Sequence, residues 1–159
     1  MRALLFRIIY FFVFFGTSTI AGMLIPFLQY KGFDPIQTGS LISLFTLSGL
    51  VGLFSIGYFC DKLKTIKKVL FPSLIITTIT GAIAILFNKG VVFYIGFFLM
   101  GLFNSMLGPL CDSWIMESSD DIKSRFGQLR AFGSVGWAFG VLIVGFVISN
   151  LGYKYVTFI

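Results

Sequence analysis

Histidine is absent from this chain, and cysteine occurs only as Cys60 and Cys111. Neither cysteine has a second one at ligand spacing, so the sequence offers no transition-metal site and no disulfide framework. Charge is nearly as scarce: 11% of the residues carry it, and only six are acidic. No G-x-S-x-G turn and no glycine-rich phosphate loop is found, which removes the common serine hydrolase and nucleotide-binding signatures. An intramembrane aspartyl protease needs two opposed buried aspartates, and only Asp112 falls inside an apolar segment. An enzyme is therefore not expected, nor is any cofactor. What fills the chain instead is apolar: 57% of the 159 residues are hydrophobic and 18% aromatic. That balance is far from a soluble domain's and predicts a polytopic, all-α membrane protein.

Five apolar segments are long enough to cross a bilayer. The first covers residues 4–30 and is too long for a signal peptide core, so it is read as retained. Gly16, Ser18, Thr19, Gly22 and Pro26 interrupt its Phe-rich run, as close helix packing or a cavity-lining face would require. A loop over 31–37 leads to the second span, 38–60, where Ser48, Gly49 and Gly52 suit close helix contact. The third runs over 69–87 and turns through Asn88, Lys89 and Gly90 into the fourth, 91–116. The fifth follows a polar turn and extends to about Ser149, with Gly133, Gly136, Gly140 and Gly145 open to a neighbour's approach. After a turn over 150–155, residues 156–159 read as the start of a sixth. Basic residues fix the expected orientation. With the N-terminus cytoplasmic, Arg2, Arg7, Lys62, Lys64, Lys67, Lys68, Lys123 and Arg125 lie inside, while Lys31, Lys89 and Lys154 lie outside. The net charge of +6 thus reflects topology and attraction to anionic headgroups, and argues for no nucleic-acid partner.

Within this apolar background, residues 108–140, GPLCDSWIMESSDDIKSRFGQLRAFGSVGWAFG, place an aspartate and an arginine inside membrane helix. Each charge costs about 2.5–3.5 kcal/mol at a helix centre on insertion scales unless it pairs or meets water. The stretch reads as a helical hairpin around a polar turn at Asp121. Asp112 precedes Asp121 by nine residues and Arg130 follows it by nine, so both reach a similar depth and can face each other. Trp137 follows Arg130 by seven residues, returning to nearly the same face about 10 Å further along. Gly101, Ser105, Gly108 and Asp112 likewise share one small, polar face. A carboxylate that accepts hydroxyls, a guanidinium fork and an indole face are the parts of a cavity for a polyhydroxylated or polar solute. Residue types alone leave other readings open. Arg130 snorkelling from its helix start, Trp137 packing or facing lipid, and Asp112 lying close to water all fit as well. Glu117, Asp120, Asp121, Lys123 and Arg125 read most simply as a solvated turn.

The order P-L-x-D, a polar turn, then F-G-x-x-R-x-x-G-S-x-G-W-x-x-G resembles the fourth and fifth helices of the lactose permease-like, oligosaccharide/proton symporter branch of the major facilitator superfamily. The resemblance implies that Arg130 corresponds to that branch's substrate-binding arginine and Asp112 to its substrate-binding glutamate, one methylene longer. Trp137 falls on the tryptophan that stacks on the sugar ring. The P-L-x-D and R-x-x-G-S pieces are also similar to relatives that carry nucleosides or aromatic acids. A second resemblance lies between spans two and three, where Gly57, Asp61, Lys62, Lys67 and Lys68 follow the superfamily signature G-x-x-x-D-[RK]-x-G-x-[RK]-[RK]. Lys64 stands where that signature has glycine, and one extra residue precedes Lys67 and Lys68. In the family this loop is a conformational latch, its aspartate near a helix start and its bases holding the cytoplasmic helix ends.

These resemblances imply that residues 1–159 form the N-terminal part of a six-helix bundle, five complete spans and the start of a sixth. The C-terminal half, or a second copy, is then a partner. They further imply proton-coupled symport of a sugar or similar small polar solute by alternating access, in the cell membrane. A different expectation from the same length is a half-transporter that moves nothing and acts as a membrane-embedded interaction partner.

Overall fold

The computed structural model describes residues 2–87 and 90–152. The expected sixth span, the residues 153–155 before it, and Asn88 and Lys89 lie outside the described residues. Among the described residues seven helices follow one another: α1 (Arg2–Ala21), α2 (Leu24–Tyr30), α3 (Pro35–Leu63), α4 (Lys67–Leu86), α5 (Val91–Met116), α6 (Asp120–Ser124) and α7 (Phe126–Leu151). They supply five stretches long and apolar enough to cross a membrane, α1 and α2 together making the first. The all-α, multi-pass architecture read from the sequence is the one observed.

The helix ends follow from local chemistry. The first span breaks between Ala21 and Leu24. Pro26 has no N–H to give the Gly22 carbonyl, so the helical ladder fails one turn upstream of it. α3 begins earlier than the apolar pattern alone suggests because Asp34 closes a capping box. Its carboxylate accepts the Gln37 N–H at 2.7 Å, and the Gln37 amide oxygen accepts the Asp34 N–H at 3.2 Å. The same helix runs past the expected end at Cys60 to include Asp61 and Lys62, and stops where Lys64 turns left-handed at φ 52° and ψ 23°. It is a conformation that glycine adopts without a Cβ penalty. A side chain in it costs about 1–2 kcal/mol. Lys64→Gly is expected to raise stability by about 1 kcal/mol, offset in part by greater unfolded-chain freedom, and to lift the Tm in detergent by roughly 2–4 °C. A lower Tm would mean that the lysine side chain contributes more than its backbone strain costs.

The chain divides into two compact units. One takes its described residues from Met1–Leu24 and Cys111–Ile159. Here α1 lies along α7 through the glycines anticipated on α7. A Cβ at Gly136 would overlap the Phe11 carbonyl, and one at Gly140 would meet the Phe15 carbonyl at 2.8 Å and the Ser18 hydroxyl. Ser18 is buried and its hydroxyl donates back to Phe15 O at 2.8 Å, so it serves packing while the neighbouring Gly16 faces open space. Phe6 meets Trp114 edge to face at 5.2 Å. In the hairpin turn, α6 carries two exposed ion pairs, Lys123–Asp120 at 3.1 Å and Arg125–Asp121 at 3.0 Å, as a solvated turn should.

The other unit is Ile25–Leu110. α3 and α5 meet through small residues on both sides. A Cβ at Gly52 would overlap the Leu102 carbonyl, one at Gly101 would overlap Ser48 and Phe45, and Ser105 Oγ donates to Gly49 O at 2.8 Å. The rings of Phe33, Phe93 and Phe97 stack in series at 5.3 and 5.6 Å. Lys31, just past α2, donates to the Ile85 carbonyl and, at 3.5 Å, to that of Phe87, satisfying the frayed end of α4. Partial burial there pushes its ammonium pKa below the usual 10.5.

Candidate functional site

The candidate site belongs to the first unit and draws on α1, α5 and α7. Asp112 stands four residues before the end of α5 and Arg130 four residues after the start of α7. Each is therefore about 6 Å, roughly one turn, inside its helix. Because the intervening hairpin returns the chain at once, the two side chains come together as their symmetric spacing about Asp121 predicts. Arg130 Nη1 lies 3.7 Å from Asp112 Oδ2. That separation is an ion-pair contact and exceeds hydrogen-bonding range.

The carboxylate's hydrogen bond goes elsewhere. Tyr10 on α1 donates its hydroxyl to Asp112 Oδ1 at 2.6 Å. Tyr10 has no exposed surface, whereas the side chains of Asp112 and Arg130 are 28% and 58% exposed. Arg130 rests over the Phe126 ring, 5.8 Å from its centre. Its guanidinium has five N–H donors, and none makes a hydrogen bond among the described residues. On the neighbouring turn of α1, Arg7 lies over Phe132 at 5.2 Å. Three charges, two cationic and one anionic, thus approach one end of this unit with most of their donors uncommitted.

Of the residues singled out in the sequence, Asp112 and Arg130 are brought together. Trp137 lies two turns beyond Arg130 on α7, 38% exposed, with no ring or hydrogen-bond contact among the described residues. The small face leading to Asp112 is divided. Gly101 and Ser105 lie against α3, where their small size lets two backbones approach. Tyr10 was not anticipated. Its signal is slight: a single hydroxyl in the run IIYFFVFF, reaching an acid 102 residues away.

The signature segment is spread over two helices and the turn between them. Gly57, Asp61 and Lys62 lie in the last two turns of α3, while Lys67 and Lys68 open α4. A Cβ at Gly57 would meet nothing within 4 Å. Lys62 sits 5.6 Å from the centre of the Tyr58 ring. Asp61 occupies a helix C-terminal turn, whereas the resemblance puts the latch aspartate near a helix start. An acid at a C-terminus and bases at an N-terminus both oppose the helix dipole, by about 0.3–1 kcal/mol each. Local helix stability does not account for Asp61 or Lys68, whereas Lys62 in the last turn of α3 suits that helix's dipole.

A family model described as Major Facilitator Superfamily matches residues 7–159. Maltose permease of Geobacillus stearothermophilus is 23% identical over 153 residues, covering 96% of this chain and 39% of that protein. The uncharacterized transporter YwbF of Bacillus subtilis (strain 168) is 28% identical over 154 residues, 94% of this chain and 38% of that protein. The chain thus spans about two fifths of the length of the curated relatives it matches. No solved structure matches it.

Proposed function

This chain belongs to the Major Facilitator Superfamily, whose members are membrane transporters and not enzymes, and from that premise we propose that it takes part in moving a sugar or similar small polar solute across the cell membrane. The observation that carries the proposal is the gap between Asp112 and Arg130. A pair kept only for structure gains most by closing to a bidentate hydrogen bond, which offsets the cost of charge in an apolar setting. Here the partners stop at 3.7 Å, with Asp112 tied to Tyr10 instead. A solute hydroxyl placed beside the pair would accept from the guanidinium and donate to Oδ2, giving both charges a hydrogen bond through the ligand. Trp137, on the same stripe of α7, would cover the apolar face of the ring. The name of the Geobacillus relative supports a sugar as the solute.

Alternating access requires two bundles rocking about a central site. In this reading a second bundle, from the remainder of a longer chain or from a second copy, completes the transporter, and protons drive it as the lactose permease-like resemblance implies. The N-terminus is cytoplasmic, which puts the segment from Gly57 to Lys68 on the inner face as a gate. Asp61 and Lys68, set against the dipoles of their own helices, support that role, since partners on a moving bundle would stabilise them in one state and release them in the other.

Uptake of radiolabelled maltose, lactose, melibiose and glucose by cells producing the intact protein tests this reading. Uptake by the unsubstituted protein is expected to saturate and to collapse with a protonophore. Arg130→Lys keeps the charge but loses the planar fork. Losing one charge-assisted hydrogen bond, about 1.5–3 kcal/mol, lowers the apparent affinity by roughly 10- to 100-fold. Uptake at the unsubstituted level by this variant would contradict the proposal.

A further inference from the structure

We infer that Tyr10 is a positioning residue for the solute site, holding the Asp112 carboxylate so that a single oxygen, Oδ2, is presented to Arg130 and the solute. The inference rests on the reading of Asp112 and Arg130 as solute-binding. A carboxylate one methylene from the backbone can turn about its terminal torsion and offer either oxygen, or both, to a neighbouring fork. In this structure that freedom is removed. Tyr10 is fully buried and its hydroxyl holds Oδ1 at 2.6 Å, while the ring stacks on Phe14 at 5.7 Å and packs against Gly133 of α7. The phenol cannot withdraw without disturbing the α1–α7 seam. Its hydroxyl is therefore a fixed donor, set before any solute arrives.

Two consequences follow for recognition. With Oδ1 occupied, Asp112 keeps Oδ2 directed at the gap before Arg130, and the site takes one solute hydroxyl there in preference to a vicinal pair straddling both oxygens. The tether also keeps the ion pair open. Freed of Tyr10, Asp112 can rotate into a direct bidentate bond with the Arg130 fork, closing the space that the solute hydroxyl occupies. The defect from losing the phenol oxygen is then one of affinity, with the rate of the transport cycle at saturation preserved.

Tyr10→Phe deletes that oxygen and keeps the ring, so packing is conserved. The measurement is concentration-dependent uptake of the same four labelled sugars by cells producing the intact protein, its Tyr10→Phe form and its Asp112→Asn form, with membrane levels compared by immunoblot. The expected result is a KM at least tenfold higher for Tyr10→Phe, an unchanged maximal rate per molecule, and no saturable uptake for Asp112→Asn. An unchanged KM in Tyr10→Phe, with Asp112→Asn inactive, overturns the inference and leaves the site reading standing. So does a fall in maximal rate alone. Normal uptake by Asp112→Asn, or no uptake of any of the four sugars by the unsubstituted protein, overturns the site reading and the inference with it.

Discussion

Gly136→Leu is expected to remove most of the folded protein from the membrane. At Gly136 α7 runs against the backbone of α1, and even a Cβ would overlap the Phe11 carbonyl. The obstacle is main chain, which cannot swing aside as a side-chain tip can. Overpacking a well-filled contact costs about 1–3 kcal/mol and more when backbones must separate. In a bilayer, association rests on close packing, since lipid is as apolar as the helices themselves. Parting α1 from α7 would also pull Tyr10 from Asp112, because Tyr10 packs against Gly133 three residues earlier on the same seam. Fluorescence-detected size exclusion after mild solubilisation should show the monodisperse peak falling to a small fraction of the unsubstituted protein's. Gly16→Leu supplies the control, because a Cβ there meets nothing within 4 Å. Equal loss in both variants would mean that the seam is not what holds this unit together.

Asp112→Asn is expected to abolish saturable sugar uptake while the protein still inserts and packs. Asparagine has nearly the shape of aspartate, and its carbonyl oxygen can still accept the Tyr10 hydroxyl. Its amide end would then face Arg130, donor against donor, with no acceptor left for a solute hydroxyl. Removing the charged acceptor costs about 1.5–3 kcal/mol for each solute hydrogen bond lost, and the amide set against the half-exposed guanidinium adds a repulsive contact. The combined effect is a loss of affinity on the order of 100-fold or more. Membrane level and thermal midpoint should change little, which separates this variant from Gly136→Leu.

How much of this could be read without coordinates depended on how local the cause was. The spans followed from apolar runs of sufficient length, and the Asp112–Arg130 approach from equal spacing about one turn in a short hairpin, where sequence distance and spatial distance are tightly linked. The glycines of α7 were legible as a packing seam, although their partner on α1 was not. The break near Gly22 and the early start of α3 also had local causes, Pro26 and the Asp34–Gln37 capping box, which hydropathy ignores. Lys64 shows a motif departure acquiring physical meaning only with the backbone in view: the lysine is left-handed at the position where the resembling signature has glycine. Gly101 and Ser105 could not be assigned from periodicity, since a small, polar face serves a cavity and a close helix contact equally well, and α3 decides between them. Tyr10 was least legible. Its hydrogen bond depends on how α1 lies against α5, a long-range pairing that a single sequence does not encode in any local pattern.

The most direct measurement of the central claim is equilibrium binding of radiolabelled maltose, lactose, melibiose and glucose to the purified intact protein and to its Asp112→Asn form. Saturable binding of at least one sugar by the unsubstituted protein alone is the result this account predicts. Equal binding by both forms, or binding by neither, would contradict it.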